Sequence, residues 1–407
     1  MSFKISKLDH QGRGITHDDG KVIFVENALP SEEVEIDVTG ETSKYKLATV
    51  KEYIQKSERR VKSKCPKYEE CGGCHLRHMS YDDTLVFKKE KLEEILIKYA
   101  KVENAEIEVI KNKNRDFYRN KVEVHIENGV SGFYKKNSHD LVEIDRCLNA
   151  EEAINIVLRS IDILHIENGV VTVKSNYNGE IILVIDSKDE PNIEIERLRD
   201  KVKLVGIVYD GKLLFGSDHF IEIIDGLLFK ESYDSFFQVN RYINGELFKL
   251  LDRYLKDDSV VLDMCSGVGT LSIVASKKAK KVYGIEIVEN AVRDAIVNAK
   301  MNKVENVEFM LGDAFKNAQK ISDDIDTIII DPPRSGLSKE GIESILNINP
   351  RDVIYISCDP VTLSRDIDLL STKYTIKKIY LLDMFSFTYH VECVCLLSHK
   401  FLSDLIN

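Results

Sequence analysis

The second half of the chain alternates short apolar runs with helical stretches, and this alternation constrains the fold more than any other feature. From about residue 231 the apolar runs read SVVLDM, KVYGIE, NVEFML, DTIIID and DVIYISC, and a stretch with helical spacing follows each of them. Strands that alternate with helices form right-handed βαβ units, in which helices cover both faces of a parallel sheet. The sequence therefore predicts an α/β domain in this half.

The end of the chain narrows the choice among α/β folds. KKIYLLDMF and HVECVCLLS are two apolar runs with no helical stretch between them, so we expect the sheet to end in a β-hairpin. Such an ending fits a class I, Rossmann-like methyltransferase domain better than a nicotinamide-binding domain.

One glycine loop marks a candidate cofactor site. VVLDMCSGVGTLSIVAS reads as strand, turn and helix, and Gly267 and Gly269 let the backbone turn tightly and approach a ligand at the helix N-terminus. Ser272 stands where dinucleotide loops carry their third glycine, which favours a ligand without a pyrophosphate, such as S-adenosylmethionine. A tight turn that binds no ligand is the alternative interpretation.

Two acidic residues follow the next strands of the same region. Glu286 ends KVYGIE, where a carboxylate can accept hydrogen bonds from both hydroxyls of a ribose. Asp313 in LGDA follows the next strand and is suited to the edge of an adenine. Both residues are predicted to bind the cofactor.

Cys358 is the candidate nucleophile. It ends the strand DVIYISC, and DPVTLSRD opens the next helix. This position is where open α/β sheets bind ligands, and we expect the helix N-terminus to lower the pKa of the thiol. A buried cysteine without a chemical role is the alternative.

Further polar residues accompany Cys358 and suggest one reaction. Asp331 ends DTIIID, Arg334 is available for a phosphate or a base, and Glu392 lies near the start of the last strand, where solvent exposure is its alternative explanation. If Cys358 adds to C6 of uracil, C5 becomes nucleophilic and attacks a methyl group, and Glu392 can then remove the C5 proton. These residues together suggest methylation of uracil at C5.

The first half of the chain is richer in strand patterns. Residues 1–55 form short alternating runs punctuated by glycines, the rhythm of a small five-stranded OB-type barrel. YDDTLVFKKEKLEEILIKYAK has helical spacing, with Leu85, Leu92, Ile95 and Leu96 largely on one face. Residues 117–230 return to strand patterns separated by Asn-Gly and Asp-Gly turns.

Three cysteines crowd the stretch KCPKYEECGGCHLRHM. Cys65, Cys71 and Cys74 follow the pattern C-x5-C-G-G-C. The N-terminus lacks an apolar stretch of signal-peptide length, so we expect a cytosolic protein in which clustered cysteines bind metal rather than form disulfides. Three thiols are one too few for a four-ligand site, and spacing alone leaves zinc and a [4Fe–4S] cluster open.

Charge and hydropathy limit the partners. The net charge of −11 argues against indiscriminate binding of nucleic acid, yet KEYIQKSERRVKSKCPK carries a basic excess that is either a solvated linker or a contact for RNA backbone. No run approaches 18 uninterrupted apolar residues, so no transmembrane helix is expected.

The combination SFFQVN, DMCSGVG, DPPRSGL, ISCDPVTLSRD and HVECV resembles RNA (uracil-5-)-methyltransferases of the RumA type over nearly the whole chain. The resemblance implies that Gln238, Glu286 and Asp331 contact S-adenosylmethionine, that Cys358 is the nucleophile and that Glu392 is the proton acceptor. Cys265 stands where the family normally carries Phe or Tyr, which leaves a backbone contact with the cofactor but puts an aromatic one in doubt.

The resemblance also implies the fourth ligand and the domains. Cys147 in EIDRCLN would complete a four-cysteine set that holds a [4Fe–4S] cluster, and the N-terminal residues resemble a TRAM domain, an OB-like RNA-binding module. The implied domains are a TRAM domain at 1–58, a central iron–sulfur β-rich domain at 59–79 and 108–230, and a methyltransferase domain at 80–107 and 231–407.

The expected substrate is a specific uridine of 23S ribosomal RNA, methylated by a monomeric enzyme. The T-loop uridine of transfer RNA is the close alternative. Bacterial tRNA enzymes of this family generally lack the TRAM domain and the cysteine set, whereas archaeal ones can carry both. A non-enzymatic iron–sulfur protein that binds RNA or carries electrons is an alternative of another class.

Overall fold

The computed structural model describes residues 2–400. Contacts divide the chain into two compact units: the first comprises residues up to 91, residues 132–144 and residues 385–390, and the second comprises residues 92–131, residues 145–384 and those from 391 onward. No helix within residues 2–400 is long and apolar enough to cross a membrane. The division into three domains made from the sequence stays a prediction.

The N-terminal strands form a small barrel in the first unit. They are β1 (Ser2–Lys4), β2 (Lys7–Leu8), β3 (Gly14–Asp18), β4 (Lys21–Glu26), β5 (Glu33–Glu41) and β6 (Tyr45–Gln55). The sheet order is β1-β5-β6-β4-β3-β2. Only Ile5 and Ser6 separate β1 from β2, which lie at opposite ends of that order, so the bent first strand closes the sheet. The expected OB-like barrel is confirmed.

A long helix follows the cysteine-rich loop. α1 spans Tyr81–Ile95 and continues into a π-helical turn, Leu96–Ala100. The four residues expected on its apolar face, Leu85, Leu92, Ile95 and Leu96, are all buried. The strand β7 (Ile107–Ile110) comes next.

The middle of the chain is rich in strands, as expected. Its elements are β8 (Lys121–Glu127), β9 (Val130–Tyr134), β10 (Leu141–Glu143), α2 (Glu152–Leu158), a 3-10 turn (Ile161–Leu164), β11 (Gly169–Ser175), β12 (Glu180–Ser187), α3 (Ile195–Arg199), β13 (Lys203–Tyr209), β14 (Lys212–Gly216), β15 (His219–Ile224) and β16 (Leu227–Ser232). In the second unit β8, β11, β12, β13 and β14 are neighbours in this order, and β15 pairs with β16. In the first unit β9 and β10 pair as a hairpin.

The remaining elements form the α/β domain. They are α4 (Arg241–Tyr254), β17 (Val260–Met264), α5 (Thr270–Ala275), β18 (Lys281–Glu286), α6 (Glu289–Met301), β19 (Val307–Leu311), α7 (Ala314–Asn317), a 3-10 turn (Ala318–Lys320), β20 (Thr327–Ile330), α8 (Lys339–Ile348), β21 (Asp352–Ser357), α9 (Pro360–Leu370), β22 (Tyr374–Leu382) and β23 (Glu392–His399). The sheet order is β19-β18-β17-β20-β21-β23-β22-β7. Strands β17 to β21 run parallel, and β22 and β23 form an antiparallel hairpin. The class I, Rossmann-like fold is confirmed.

The edge strand β7 is an addition that the sequence pattern did not indicate. It pairs in parallel with β22, from Ile107 opposite Ile379 to Ile110 opposite Leu382. Leu92 and Leu96, near the end of α1, belong to the same buried cluster as the centre of this sheet. Apolar residues that precede the β-rich region in sequence therefore complete the core of the α/β domain.

Candidate active site

The register of the sheet brings one group of candidate residues together. Met264, the last residue of β17, pairs with Ile285 on one side and with Ile330 on the other. The residues that follow these three are Cys265, Glu286 and Asp331. Because the carboxyl ends of parallel strands meet at one edge, the three predicted cofactor residues lie side by side there.

The same edge holds the candidate nucleophile and base. β21 and β23 are antiparallel neighbours, and Ser357 pairs with Cys393. Cys358 follows Ser357 and Glu392 precedes Cys393, so one further step in this register sets the two side by side. The hairpin at the end of the chain is therefore what delivers Glu392 to the thiol.

The glycine loop is tied to Glu286 through its backbone. One carboxylate oxygen of Glu286 accepts a hydrogen bond from Gly267 N at 2.9 Å, and the other accepts from Ile287 N and Val288 N at 2.8 Å each. Gly269 has a φ of +80°, and a Cβ there would stand 2.7 Å from the Phe309 ring. The second glycine is therefore required both by its conformation and by the space.

Two buried polar atoms in this loop have no hydrogen-bond partner. Asp263 accepts a hydrogen bond from the Ser272 hydroxyl at 2.6 Å through Oδ2, whereas its Oδ1 is unpartnered, as is Ser266 Oγ. Burial raises the pKa of Asp263 to about 7. Buried polar groups normally find partners, so these two atoms fit a polar ligand that binds against the loop.

Cys265 and Asp313 stand where the sequence put them, on either side of Glu286. Cys265 is half-buried with a φ of +66°, and burial together with Glu286 and Asp263 raises its pKa to about 12. Its thiol therefore stays protonated and is no competitor for Cys358. Asp313 caps α7 by accepting hydrogen bonds from Phe315 N and Lys316 N through Oδ1.

Gln238 lies on the loop that leads into α4. Its amide Nε2 donates to Asp331 Oδ2 at 3.5 Å. The backbone of this loop is held by Asn120, whose Nδ2 donates to Gln238 O. Lys174 also holds it, because the buried ammonium donates to the carbonyls of Ser232 at 3.0 Å and Ser235 at 3.2 Å.

Lys174 is a residue that sequence reasoning passed over. It is 2 % exposed and pairs with Glu231 at 3.1 Å. A lysine inside the apolar run VVTVKS was the available signal, because a buried ammonium needs partners.

The expectation about the pKa of Cys358 was wrong. We expected the N-terminus of α9 to lower it, but burial and the nearby carboxylate of Glu392 raise the pKa of this half-buried thiol above its ordinary value. Arg334 opposes them through its charge and a hydrogen bond to the thiol, without reversing the shift. Desolvation and the negative charges therefore outweigh the effect of Arg334.

Burial raises the pKa of both carboxylates of the site. Glu392 is 3 % exposed, and its pKa lies well above the usual value because of burial and the proximity of Asp331. Burial likewise raises the pKa of Asp331 to about 7. A carboxyl with raised pKa can hold a proton near neutral pH, which a general acid or base requires.

Arg334 has a position that the sequence did not indicate. We expected it to be available for a phosphate or a base, and the structure sets its guanidinium beside the Cys358 thiol, where it also lowers the pKa of Glu392. Its place in the loop directly after Asp331 was the only signal, and that does not reveal the direction of the side chain.

The cysteine-rich loop belongs to the first unit. Cys65, Cys71 and Cys74 are all partly exposed. Gly73 N donates to Cys71 Sγ and Arg77 Nε donates to Cys74 Sγ, each at 3.4 Å. Burial and the neighbouring Cys74 raise the pKa of Cys65.

Cys147, the remaining predicted ligand, belongs to the second unit. Its N–H donates to Asn155 Oδ1 at 2.7 Å, and the Asn155 amide donates back to its carbonyl at 3.0 Å. Among residues 2–400 no group of three or more His, Cys, Asp or Glu residues is arranged to hold a metal ion. The metal ligands therefore stay a prediction.

Comparisons with known proteins identify the family. The family model for tRNA (uracil-5-)-methyltransferase matches residues 80–400, and the model for the TRAM domain matches residues 3–51. A relative from Clostridium tetani, named an uncharacterized RNA methyltransferase, is 32% identical over 438 residues, with 97% of this chain and 95% of the relative covered.

Two further comparisons extend over the whole chain. An uncharacterized RNA methyltransferase of Caldanaerobacter subterraneus is 34% identical over 435 residues, with 96% of each chain covered. The crystal structure of Pyrococcus abyssi tRNA (uracil-54, C5)-methyltransferase in complex with S-adenosyl-L-homocysteine superposes with a TM-score of 0.81 at 27% identity, covering 98% of this chain and 99% of that one.

Proposed function

We propose that this chain, which belongs to the S-adenosylmethionine-dependent RNA (uracil-5-)-methyltransferase family, methylates C5 of a specific uridine in 23S ribosomal RNA through a covalent cysteine adduct. The observation that carries the chemistry is the alignment of Cys358 with Glu392 across β21 and β23, with Arg334 at the thiol.

Cys358 makes the carbon reactive. Its thiolate adds to C6 of the uracil, and the electron pair of the C5–C6 double bond moves towards the C4 carbonyl, so that C5 becomes nucleophilic. Arg334 favours the thiolate, because its charge opposes the raised pKa of the thiol. S-adenosylmethionine, when bound, supplies the electrophilic methyl group that C5 takes up.

Glu392 completes the turnover. Its carboxylate removes the proton from C5, the C5–C6 double bond forms again, and the thiolate of Cys358 leaves C6. Because Asp331 and burial raise the pKa of Glu392, the carboxylate accepts this proton more readily than an ordinary glutamate would. The product is 5-methyluridine.

The glycine loop is the proposed binding surface for S-adenosylmethionine. Glu286 would receive the ribose hydroxyls, Asp313 the adenine edge, and Gln238 and Asp331 the part nearer Cys358. The unpartnered Asp263 Oδ1 and Ser266 Oγ support a polar ligand at the turn between Cys265 and Gly267.

The uracil must leave its stack in the RNA to react, because a stacked uracil exposes neither face of C6. We infer that RNA loop shape supplies specificity beyond the base and that the TRAM domain contributes contacts to RNA. The relatives described above come from bacteria. The resemblance implies that bacterial tRNA enzymes of this family generally lack the TRAM domain and the cysteine set, so ribosomal RNA is the substrate that we propose.

Transfer RNA is the second candidate substrate, and one specific observation favours it. The Pyrococcus abyssi enzyme that superposes over 98% of this chain is a tRNA (uracil-54, C5)-methyltransferase. The same chemistry at C5 would serve either RNA.

We further propose that Cys65, Cys71, Cys74 and Cys147 hold a [4Fe–4S] cluster. Hydrogen bonds from Gly73 N and Arg77 Nε to the sulfurs of Cys71 and Cys74 suit thiolates that ligate such a cluster. The inclusion of Cys147 rests on the sequence resemblance alone. The methylation needs no electron, so the cluster would organise the protein or the RNA.

Methyl transfer decides between these substrates. Anaerobically purified protein is incubated with S-adenosylmethionine labelled in its methyl group and, in separate reactions, with unmodified 23S rRNA and unmodified tRNA. We expect 5-methyluridine in the rRNA. Label in tRNA alone would retain the chemistry and overturn the substrate, and no label in either RNA would contradict the proposed activity.

A further inference from the structure

The loop that carries Arg334 has a support of its own in the helix that begins beyond Cys358. Loop residues 331–337 follow β20, and α9 begins two residues after Cys358. Asp359 fixes the start of α9, because its carboxylate accepts hydrogen bonds from Val361 N and Thr362 N at 2.9 and 3.0 Å. The helix is thus a fixed frame next to the nucleophile.

A buried carboxylate on α9 binds the loop. Asp366 is fully buried, and its Oδ2 accepts hydrogen bonds from Leu337 N at 2.8 Å and from the Tyr355 hydroxyl at 2.6 Å. Its other oxygen pairs with the guanidinium of Arg365 at 2.7 Å. Both carboxylate oxygens of Asp366 therefore have partners, and one of these partners, Leu337 N, belongs to the loop.

Arg365 binds the loop from the same side. Its Nη2 donates to the carbonyls of Ser335 at 3.1 Å and Leu337 at 3.0 Å. The hydroxyl of Thr362, one helical turn earlier, donates to the carbonyl of Arg334 at 3.1 Å. Three α9 side chains thus bind the backbone of the loop at and just after Arg334.

Gly336 allows this close approach. It has a φ of +72°, and a Cβ there would lie 2.7 Å from both Arg365 Nη2 and Asp366 Oδ2. Only glycine fits this conformation and this space without displacement. The loop and the Arg365–Asp366 pair are therefore packed as one unit.

We propose that Asp366 and Arg365 are positioning residues, which hold the 331–337 loop so that the guanidinium of Arg334 stays beside the Cys358 thiol. The proposal rests on Cys358 being the nucleophile of the proposed function. Both residues act through Arg334, whose side chain is exposed and whose carbonyl accepts the hydrogen bond from Thr362. Loss of the support removes the cation that opposes the raised pKa of Cys358.

Alkylation of Cys358 by iodoacetamide tests the proposal without RNA or cofactor. The rate of alkylation of the Cys358 peptide is followed by mass spectrometry as a function of pH in the full-length protein. The plateau at high pH reports access to the thiol, and the midpoint reports its ionisation. In Asp366→Asn we expect the midpoint to move to higher pH by about one unit, which is about a tenfold slower reaction below the midpoint.

A matched control lies at the start of β21, the strand that ends next to Cys358. Arg351 and Asp352 form a similar pair of adjacent residues at the start of β21, with a distance of 2.8 Å. Asp352→Asn is therefore expected to leave the midpoint unchanged. Equal shifts in the two variants would indicate a general loss of stability and would overturn the proposal.

A double variant tests whether the effect passes through Arg334. Arg334→Gln alone should raise the midpoint, and adding Asp366→Asn to it should produce no further shift. An additive shift, or an unchanged midpoint in Asp366→Asn alone, would overturn the proposal. If Asp366→Asn does not fold, Arg365→Lys decides by the same measurement, because it keeps the charge but loses the fork that reaches two carbonyls.

This outcome is separable from that of the proposed function. Methyl transfer by the unaltered protein tests the function, and the alkylation midpoint tests the support of the loop. A normal midpoint in Asp366→Asn with active wild-type enzyme would reject only the positioning role.

Discussion

Two regions of this chain carry cysteines with proposed chemical roles, and they are built in different ways. Cys358 lies at the end of β21, opposite Glu392, in a register that the sheet fixes over six residue pairs. The loop with Cys65, Cys71 and Cys74 lies outside the strands of the described residues. It contacts the β9–β10 segment through an isolated bridge between Cys71 and Lys135 and through backbone hydrogen bonds such as that from Gly72 N to Tyr134 O at 2.9 Å. A single nucleophile needs partners fixed by the protein, whereas a set of metal thiolates takes part of its geometry from the metal.

Their electrostatics show that burial does not identify a nucleophile. Burial raises the pKa of Cys65 as it does that of Cys358, and an arginine opposes the shift in both places, Arg77 in the loop and Arg334 in the sheet. What sets Cys358 apart is the pair of carboxylates, Glu392 and Asp331, that share its surroundings. The combination of a thiol, a cation and carboxylates distinguishes the proposed catalytic region from the cysteine-rich loop.

The largest expected effect separates Cys358 from the other cysteines. Cys358→Ala should lower methyl transfer to RNA by at least about 10³-fold, because no other group there can add to C6. Cys393→Ala is the matched control: Cys393 is buried on β23 and pairs with Ser357, but the mechanism does not use it. Transfer of the radiolabelled methyl group to RNA is measured for both variants. Near-normal turnover by Cys358→Ala would contradict the proposed adduct mechanism.

The next effect distinguishes nucleophile from base within the same site. Glu392→Gln should slow turnover by about 10²-fold while the bond between Cys358 and C6 still forms, because only removal of the C5 proton is impaired. A protein–RNA species that survives denaturation should accumulate on gels. Its absence, with RNA binding intact, would count against Glu392 as the base.

The third prediction addresses the other region. Cys71→Ser should lose iron and acid-labile sulfide from anaerobically purified protein, because one of the four proposed ligands is replaced. Cys358→Ala should keep both in full, and Cys71→Ser should bind S-adenosylmethionine with its Kd changed by no more than about twofold. Iron content that is the same in Cys71→Ser and in the unaltered protein would refute the assignment of this ligand.

The fold could be predicted from sequence to a large extent, and the reason is periodicity. The apolar runs from SVVLDM to DVIYISC fall on parallel strands, and the final hairpin follows from two runs without a helix between them. The strand β7 was not predicted, because four residues carry too little pattern to indicate that they pair with a strand as distant in sequence as β22. Long-range pairing of a short strand is decided by tertiary contacts rather than by local pattern.

The site was predictable in position but not in electrostatics. Strand ends placed Cys358, Asp331 and Glu286 at one edge, because that placement needs only the direction of the strands. The pKa of Cys358 was misjudged because it depends on burial and on Glu392, which comes from an antiparallel strand. The orientation of the Arg334 side chain was not predicted either, because side-chain contacts within loops do not produce a periodic sequence pattern.

The smallest expected effect concerns the pH dependence of the catalytic thiol. In the proposed reaction Cys358 reacts as a thiolate and Glu392 as a carboxylate, and the pKa of each is raised above its ordinary value. Methyl transfer at saturating RNA should therefore still increase with pH above neutrality, since both groups must lose a proton before they act.

Arg334→Gln sharpens this prediction. The substitution removes the cation that opposes the raised pKa of Cys358, so the rising limb should move to higher pH, and activity near neutral pH should fall by about tenfold for a shift of one unit. Arg293→Gln, on the exposed Arg293–Glu289 pair of α6, should leave the profile in place. A pH profile of Arg334→Gln that coincides with that of the unaltered enzyme would show that this guanidinium does not stabilise the thiolate. Arg334 would then no longer distinguish the proposed catalytic thiol from the cysteine-rich loop.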